Sequence, residues 1–273
     1  MLEIILAICA IFVLLILGYA FLVRAKKGHP GIQDLLGWSY AHRGLHDETK
    51  PENSMAAFRA ALEKGYGIEL DVHLLKDGGL AVIHDSTLLR TTGCEGRVED
   101  LTTEELTSYH LEGTQETIPT FRQVLNLYQG KAPLIVELKA VDNNHAQLTD
   151  TVCKMLDTYQ GVYCLESFDP RCIYWLRNHR PELIRGQLAE NFFKSKTTPI
   201  PWHLKLGMSK QLVNFLTLPH FVAYKFADRK TFGNFLVRKL WGVQCVTWTL
   251  TSPQEQETAL KEGWIPIFEN YEP

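Results

Sequence analysis

The chain has 273 residues, 45% of them apolar and 22% charged, and a net charge of −3 at neutral pH. That length admits one large domain or two of about 150 residues, and the composition excludes a disordered or fibrous chain. With Arg24-Ala25-Lys26-Lys27 as its one basic cluster the chain offers no field for nucleic acid, and six cysteines without a C-x-x-C pair signal neither a thiolate zinc site nor a redox dithiol.

The first element is Ile4–Val23, a run without a charge. At about 1.5 Å per residue, a helix of this length crosses a hydrocarbon core of roughly 30 Å. Residues 1–24 are therefore expected to be a transmembrane anchor. A cleaved signal peptide is the alternative, but it wants cations before the run and small residues at its end. Here Glu3 precedes the run, which ends Tyr19-Ala20-Phe21-Leu22-Val23. Arg24, Lys26 and Lys27 follow it, so the positive-inside rule predicts a single-pass membrane protein with its large domain in the cytoplasm. Cys94, Cys153, Cys164, Cys172 and Cys245, an odd set beyond the anchor, suit a reducing compartment.

His29-Pro30-Gly31 breaks any continuing helix, so residues 25–36 read as a juxtamembrane link and residues 37–273 as one domain. Strand-like runs follow at Trp38–Arg43, Gly67–Val72, Leu134–Lys139, Val162–Phe168, Ile184–Ala189, Phe221–Lys225, Val243–Thr249 and Ile265–Glu269. Helical stretches at Ser54–Lys64, Thr120–Tyr128, Asn144–Tyr159 and Pro170–His179 separate several of them. This alternation implies parallel strands joined by helical crossovers, and eight strands predict an α/β fold of the closed (β/α)₈ TIM-barrel type. An open doubly wound sheet is the alternative, although no G-x-G-x-x-G turn follows any strand. Leu80–His84 follows Gly67–Leu75 too closely for a parallel crossover. Asp77-Gly78 suits a two-residue hairpin loop, which would pair Lys76 with Gly79 and set Asp71 opposite His84.

Glu69-Leu70-Asp71 places two carboxylates at i and i+2, on one face of a strand, and Glu137-Leu138-Lys139 repeats the spacing on the next barrel strand. In a barrel these strand ends open on the C-terminal mouth, where active sites sit. Three carboxylates converging there repel one another unless a cation lies between them, and oxygen ligands favour Mg²⁺ or Ca²⁺. Scattered surface acids paired with lysines are the plainer alternative. His42 and His84 end two strands nearby, and histidines titrating near neutrality can remove one proton and donate another. Arg43 offers a planar fork to phosphate oxygens, and Lys139 adds a point charge. Together these groups suit phosphoryl chemistry.

Ala41-His42-Arg43-Gly44, Pro51-Glu52-Asn53-Ser54, Glu69-Leu70-Asp71-Val72, His84-Asp85 with Leu89-Arg90-Thr91-Thr92, Ile118-Pro119-Thr120 and Glu137-Leu138-Lys139 stand in series. In order and spacing the series resembles the glycerophosphodiester phosphodiesterase family, from about Trp38 to the C-terminus. The resemblance implies a (β/α)₈ barrel with a small insertion, here about residues 86–117. It implies His42 and His84 as general acid and base, Glu69, Asp71 and Glu137 as ligands of one divalent cation, and Arg43 and Lys139 as phosphate contacts. Glu52 and Asn53 match a supporting loop, though Asn53 or Ser54 also suits a helix cap. Trp248-Thr249 resembles the Trp-Thr that ends the family's penultimate strand, and a core aromatic is the other reading of Trp248. At the last strand Glu269 stands where the family carries threonine, so a substrate contact from that strand is not carried over.

The expected activity is metal-dependent hydrolysis of glycerophosphodiesters to glycerol 3-phosphate and an alcohol. One rival keeps the fold and acts on membrane lysophospholipids as a lysophospholipase D, with the lipid bilayer as partner. A membrane-tethered binding module without catalysis is a rival of another class. A two-acid glycosidase would leave His42, His84 and Arg43 without a role. Between Glu190 and His220, apolar residues including Phe193 and Trp202 read either as a helix packed on the barrel or as a lip that touches lipid.

Overall fold

The computed structural model describes residues 1–194 and 200–273; residues 195–199, within the apolar segment after Glu190, lie outside the described residues. After α1 (Leu2–Leu22) come β1 (Tyr40–His42), α2 (Met55–Glu63), β2 (Gly67–Leu74), β3 (Leu80–Val82), α3 (Leu89–Thr92), α4 (Phe121–Tyr128) and β4 (Leu134–Leu138). Then follow α5 (His145–Leu156), β5 (Tyr163–Ser167), α6 (Pro170–His179), β6 (Arg185–Ala189), α7 (Trp202–Ser209) and α8 (Asn214–Thr217). The chain closes with β7 (Phe221–Lys225), α9 (Phe232–Lys239), β8 (Gln244–Leu250), α10 (Pro253–Lys261) and β9 (Trp264–Phe268). β1, β2 and β4 to β9 pair in parallel, and β1 joins both β2 and β9, so the ring closes into a TIM barrel.

The alternation along β2 explains the barrel wall. Ile68, Leu70, Val72 and Leu74 belong to the core between strands and outer helices, with Phe58 of α2 and Val124 of α4. The intervening Glu69, Asp71 and His73 are equally buried but lie on the other face. Helix starts are marked by side-chain caps: Ser54 accepts from the Ala57 amide, Thr120 and Gln123 form a capping box, and Asp169, Thr231 and Ser252 cap α6, α9 and α10. Inside the ring, Tyr40, Ile135, Phe221 and Ile265 pack with Ile32 and Leu35 from a 3₁₀ turn at Pro30–Leu35. The Tyr40 hydroxyl donates to the Leu35 carbonyl at 3.0 Å. The segment read as a link thus folds against the strands' N-terminal end and closes it. The insertion has its own small core, in which Leu88, Val98, Leu101, Leu106 and Ile118 pack under Leu75 and Ile83.

The hairpin differs from its expected register by one residue. β2 and β3 pair Val72 with Val82, His73 with Ala81 and Leu74 with Leu80, and the Leu75 amide donates to the Gly79 carbonyl. The loop is therefore Lys76-Asp77-Gly78, and Ile83 rather than His84 lies across from Asp71, donating to its carbonyl at 3.1 Å. Gly78 at φ +85° supplies the left-handed residue that a three-residue loop requires. The Asp77 carboxylate accepts from the Gly79 and Thr103 amides and pins this longer turn.

A buried histidine at the far end of the barrel carries a pH prediction. His220 is 2% exposed and its Nδ1 accepts from the Arg185 amide. Burial, with Arg185 and His29 nearby, pushes its pKa down to about 3. The unfolded chain binds the proton near pH 6.5, so His220 contributes its full stabilisation above that pH. The contribution falls by about 1.4 kcal/mol per unit as pH drops toward the folded value. His220→Asn, which keeps an acceptor for Arg185, should shrink the stability lost between pH 7 and pH 4 by about 3 kcal/mol. Urea unfolding of the full chain in detergent measures this, and equal losses in both proteins would refute it.

Candidate functional site

The acids gather through strand register. Asp71 on β2 pairs with Glu137 on β4, Glu137 with Glu166 on β5, and His42 on β1 with Glu69. Glu69, Asp71 and Glu137 are all buried, with ligand oxygens within 4.8 Å of one another. Burial pushes the Glu69 carboxyl well above its usual range, reinforced by the charges of Asp71 and Glu137. Burial would raise Asp71 as well, but Lys139, His84 and Arg43 and a hydrogen bond from Asn53 hold it well below its usual value. Burial thus favours the neutral form at Glu69, while the cationic neighbours favour the charged form at Asp71.

The cations and the Asn53 amide converge on Asp71. Asn53 Nδ2 donates to Asp71 Oδ2 at 2.9 Å, Arg43 Nε lies 3.4 Å from the same oxygen, and Lys139 Nζ lies 3.2 Å from Oδ1. Lys139 also donates to Glu137 at 3.0 Å. Ser54 takes the helix cap, which leaves Asn53 to brace Asp71. Arg43 leaves β1 at φ 54°, and Gly44 follows at φ +84°. A Cβ on Gly44 would sit 2.9 Å from Ala57, so the His-Arg-Gly turn needs glycine both for its conformation and for its contact with α2. Glu52 accepts from Arg43 at 3.0 Å and from both Nη atoms of Arg90 at 2.8 and 2.7 Å, tying the insertion to the site.

Each histidine has a carboxylate on Nδ1. His42 Nδ1 lies 2.5 Å from Glu269 Oε2, while its Nε2 is 3.8 Å from Glu69. Burial lowers the His42 pKa and favours the neutral imidazole, opposed by the hydrogen bond and charge of Glu269. The His42 contact in turn pushes Glu269 down to about 2. His84 Nδ1 lies 2.6 Å from Asp85 Oδ1, and Arg90 grips the other Asp85 oxygen. A carboxylate on Nδ1–H fixes the tautomer and leaves Nε2 for proton transfer.

A cavity of about 400 Å³ opens over these groups and is lined by His42, Arg43, Glu69, His84, Glu137 and Trp248 among others. Trp248 meets Phe168 edge to face at 5.6 Å, and its indole nitrogen has no partner among the described residues. Four residues at the site have no role in the motif reading. Glu269, noted there only as a departure, anchors His42 across 227 positions. Asp85 and Arg90 form a strut from His84 to Glu52. Glu166, 1% exposed, has an orphaned Oε2 and a carboxyl raised well above its usual range by burial and by Glu137 and Asp71. A lone acid inside the apolar run Tyr163–Ser167 is the signal that could have marked it.

The donor set fits a hard divalent cation. It is all oxygen, and Asp71 Oδ1 is buried with no hydrogen bond aligned on it among the described residues. With a cation there, two bases and two cationic side chains, the site can hold a phosphate and move protons on either side of it.

Residues 42–271 match the family described as the glycerophosphoryl diester phosphodiesterase family. The chain is 31% identical over 236 residues to the glycerophosphodiester phosphodiesterase of Caldanaerobacter subterraneus subsp. tengcongensis, covering 82% of this chain and 89% of that one. It is 34% identical over 143 residues to lysophospholipase D GDPD1 of Rattus norvegicus, 48% of this chain and 43% of the other. The fold matches that of an Oleispira antarctica phosphodiesterase solved with the product sn-glycerol-3-phosphate, at TM-score 0.71 and 22% identity over 88% of this chain and 95% of that one.

Proposed function

This chain belongs to the glycerophosphoryl diester phosphodiesterase family, and from that premise we propose that it hydrolyses glycerophosphodiesters to glycerol 3-phosphate and an alcohol. The observation that carries the reading is the pair of carboxylate-held histidines lining one cavity with the buried acids. Arg43 and Lys139 hold the phosphate oxygens. Neutral His42, its Nδ1–H on Glu269, takes the proton of the attacking oxygen on Nε2 as the new P–O bond forms. His84 gives its Nε2 proton to the departing alkoxide as the old P–O bond breaks. Glu69, Asp71 and Glu137 would hold the divalent cation, which when bound draws negative charge from the phosphoryl oxygens. Glu52, Asn53 and Trp248 brace or wall the site.

The test is turnover of glycerophosphocholine by the full chain in detergent, with Mg²⁺ or Ca²⁺ and with chelator. Metal-dependent release of glycerol 3-phosphate supports the reading, and no turnover with either ion overturns it. Lysophospholipase D activity is the second reading, favoured by α1, which is long and apolar enough to span a bilayer. Lysophosphatidylcholine assayed beside glycerophosphocholine separates the two.

Residues 1–24 act, on this reading, as a retained anchor for the barrel domain of residues 37–273. Packing supports retention over cleavage: Ala20 and Val23 are buried, and Trp241 Nε1 donates to the Ala20 carbonyl at 3.0 Å. Arg24, Lys26 and Lys27 favour a cytoplasmic barrel. A C-terminal fluorescent-protein fusion should be bright and a C-terminal alkaline phosphatase fusion inactive; the reverse pattern rejects this orientation.

Glu269→Gln should lower kcat about ten- to hundredfold with KM nearly unchanged. Losing the carboxylate also removes the charge and hydrogen bond that raise the His42 pKa, so the acid limb of the pH–rate profile should move to lower pH. A purely structural role would leave that limb in place.

A further inference from the structure

We propose that the mouth of the barrel is held against the bilayer by an aromatic collar around the base of α1, comprising Phe193, Trp202, Phe232 and Phe235. The inference rests on α1 spanning a membrane and goes beyond the reaction to how the site meets its lipid.

The direction of α1 relative to the barrel follows from its contacts. α9 begins beyond the C-terminal end of β7, at the mouth, and the outer helices return toward the opposite end. Tyr19 stacks on Phe232, the first residue of α9, with ring centroids 5.9 Å apart. Seven positions later the Lys26 amide donates to the carbonyl of Pro219, which precedes β7 at the far end. The chain thus descends from mouth to base between Tyr19 and Lys26. The preceding part of α1 extends the other way and leaves the barrel on the mouth side. Its most apolar stretch of 18 residues has a mean hydropathy of 3.0 and is only 6% buried. Water cannot cover such a helix favourably and a hydrocarbon core can.

Phe232 joins the collar to that exit through its stack on Tyr19. Phe232 and Phe235 are 52% and 56% exposed and stack on each other at 6.2 Å. Phe193 and Trp202, 55% and 71% exposed, lie in the connection that leaves the mouth end of β6. Tyr19 joins the two parts, stacking on Phe232 and donating to the carbonyl of Lys210 just after α7. Four large exposed rings in segments at the mouth end of a barrel that carries an apolar span match the interfacial position that aromatic side chains favour. The collar also runs on to the cavity, since Phe192 packs edge to face on Phe168, which contacts Trp248. An acyl chain rising from the bilayer would meet the rings of Phe192, Phe168 and Trp248 on the way to the site, beside the Lys225–Glu190 ion pair.

The test places a fluorophore on single cysteines in the full chain, reconstituted in phosphatidylcholine vesicles, with the exposed Cys9 and Cys94 changed to serine. Labels at Trp202→Cys and Phe235→Cys should be quenched by nitroxide-bearing lipids and be at least threefold less accessible to iodide than a label at Gln160→Cys. Gln160 lies in the exposed turn before β5, at the opposite end of the barrel. Equal iodide access at all three positions overturns the docking, whether or not the chain hydrolyses any substrate. Phe232→Ser with Phe235→Ser should lower turnover of vesicle-borne lysophosphatidylcholine about tenfold while soluble glycerophosphocholine stays within twofold. Equal loss on both substrates, or none on either, overturns the role of the collar in presenting lipid.

Discussion

His42→Ala and His84→Ala should each lower kcat by about 10²- to 10⁴-fold, the range typical for removing a positioned acid or base. Neither imidazole hydrogen-bonds a carboxylate of the Glu69, Asp71 and Glu137 group, His42 Nε2 standing 3.8 Å from Glu69. Metal affinity, read by calorimetric titration, should therefore stay within a few-fold of the parent. The two losses should not add, because each proton transfer is useful only when the other occurs, so the double variant should fall little below the worse single one. The His84 side chain is 30% exposed against 14% for His42. Added imidazole should accordingly restore more activity to His84→Ala. A near-parental rate in either single variant would remove the proposed proton relay.

How far the chain could be read before its structure depended on the range of each interaction. The i, i+2 spacing of Glu69 and Asp71 shows which residues share a strand face, and parallel neighbours bring Glu137 level with them. The eight strand runs and the barrel they close were legible for the same reason, since each run is a local apolar pattern between breakers. Turn geometry was less legible. Asp77-Gly78 fits two- and three-residue loops alike, and contacts from Thr103 in the insertion favour the longer. Glu269 was opaque because a carboxylate at a strand end looks solvated until β9 is laid beside β1, which places it on His42. Residues 25–36 read as a link because Pro and Gly mark a break, yet Ile32 and Leu35 are the residues that fill the base of the barrel.

Asp71→Asn and Glu69→Gln should fail in different ways, because the two acids differ in charge. Glu69 is pushed toward its neutral form by burial and by its acidic neighbours, and glutamine resembles that form in shape. In chelator, Glu69→Gln should therefore melt within about 2 °C of the parent, a shift worth under about 1 kcal/mol for a chain of this size. Asp71 is ionised, 1% exposed, and faces Arg43, Lys139 and the Asn53 amide. Asparagine leaves two largely buried cations short of their counter-charge, a defect of about 3 kcal/mol or more that should lower Tm by roughly 6–12 °C. With metal present the ordering by stability no longer governs activity. Both variants lose a carboxylate of the proposed metal site, so both should need at least tenfold more Mg²⁺ or Ca²⁺ for half-maximal turnover. Melting curves in chelator paired with metal titrations of activity separate the two effects. If Glu69→Gln kept the parental metal requirement, the carboxylate group would be an internal charge network and not the seat of a cation, and catalysis would rest on Arg43, Lys139 and the histidines alone.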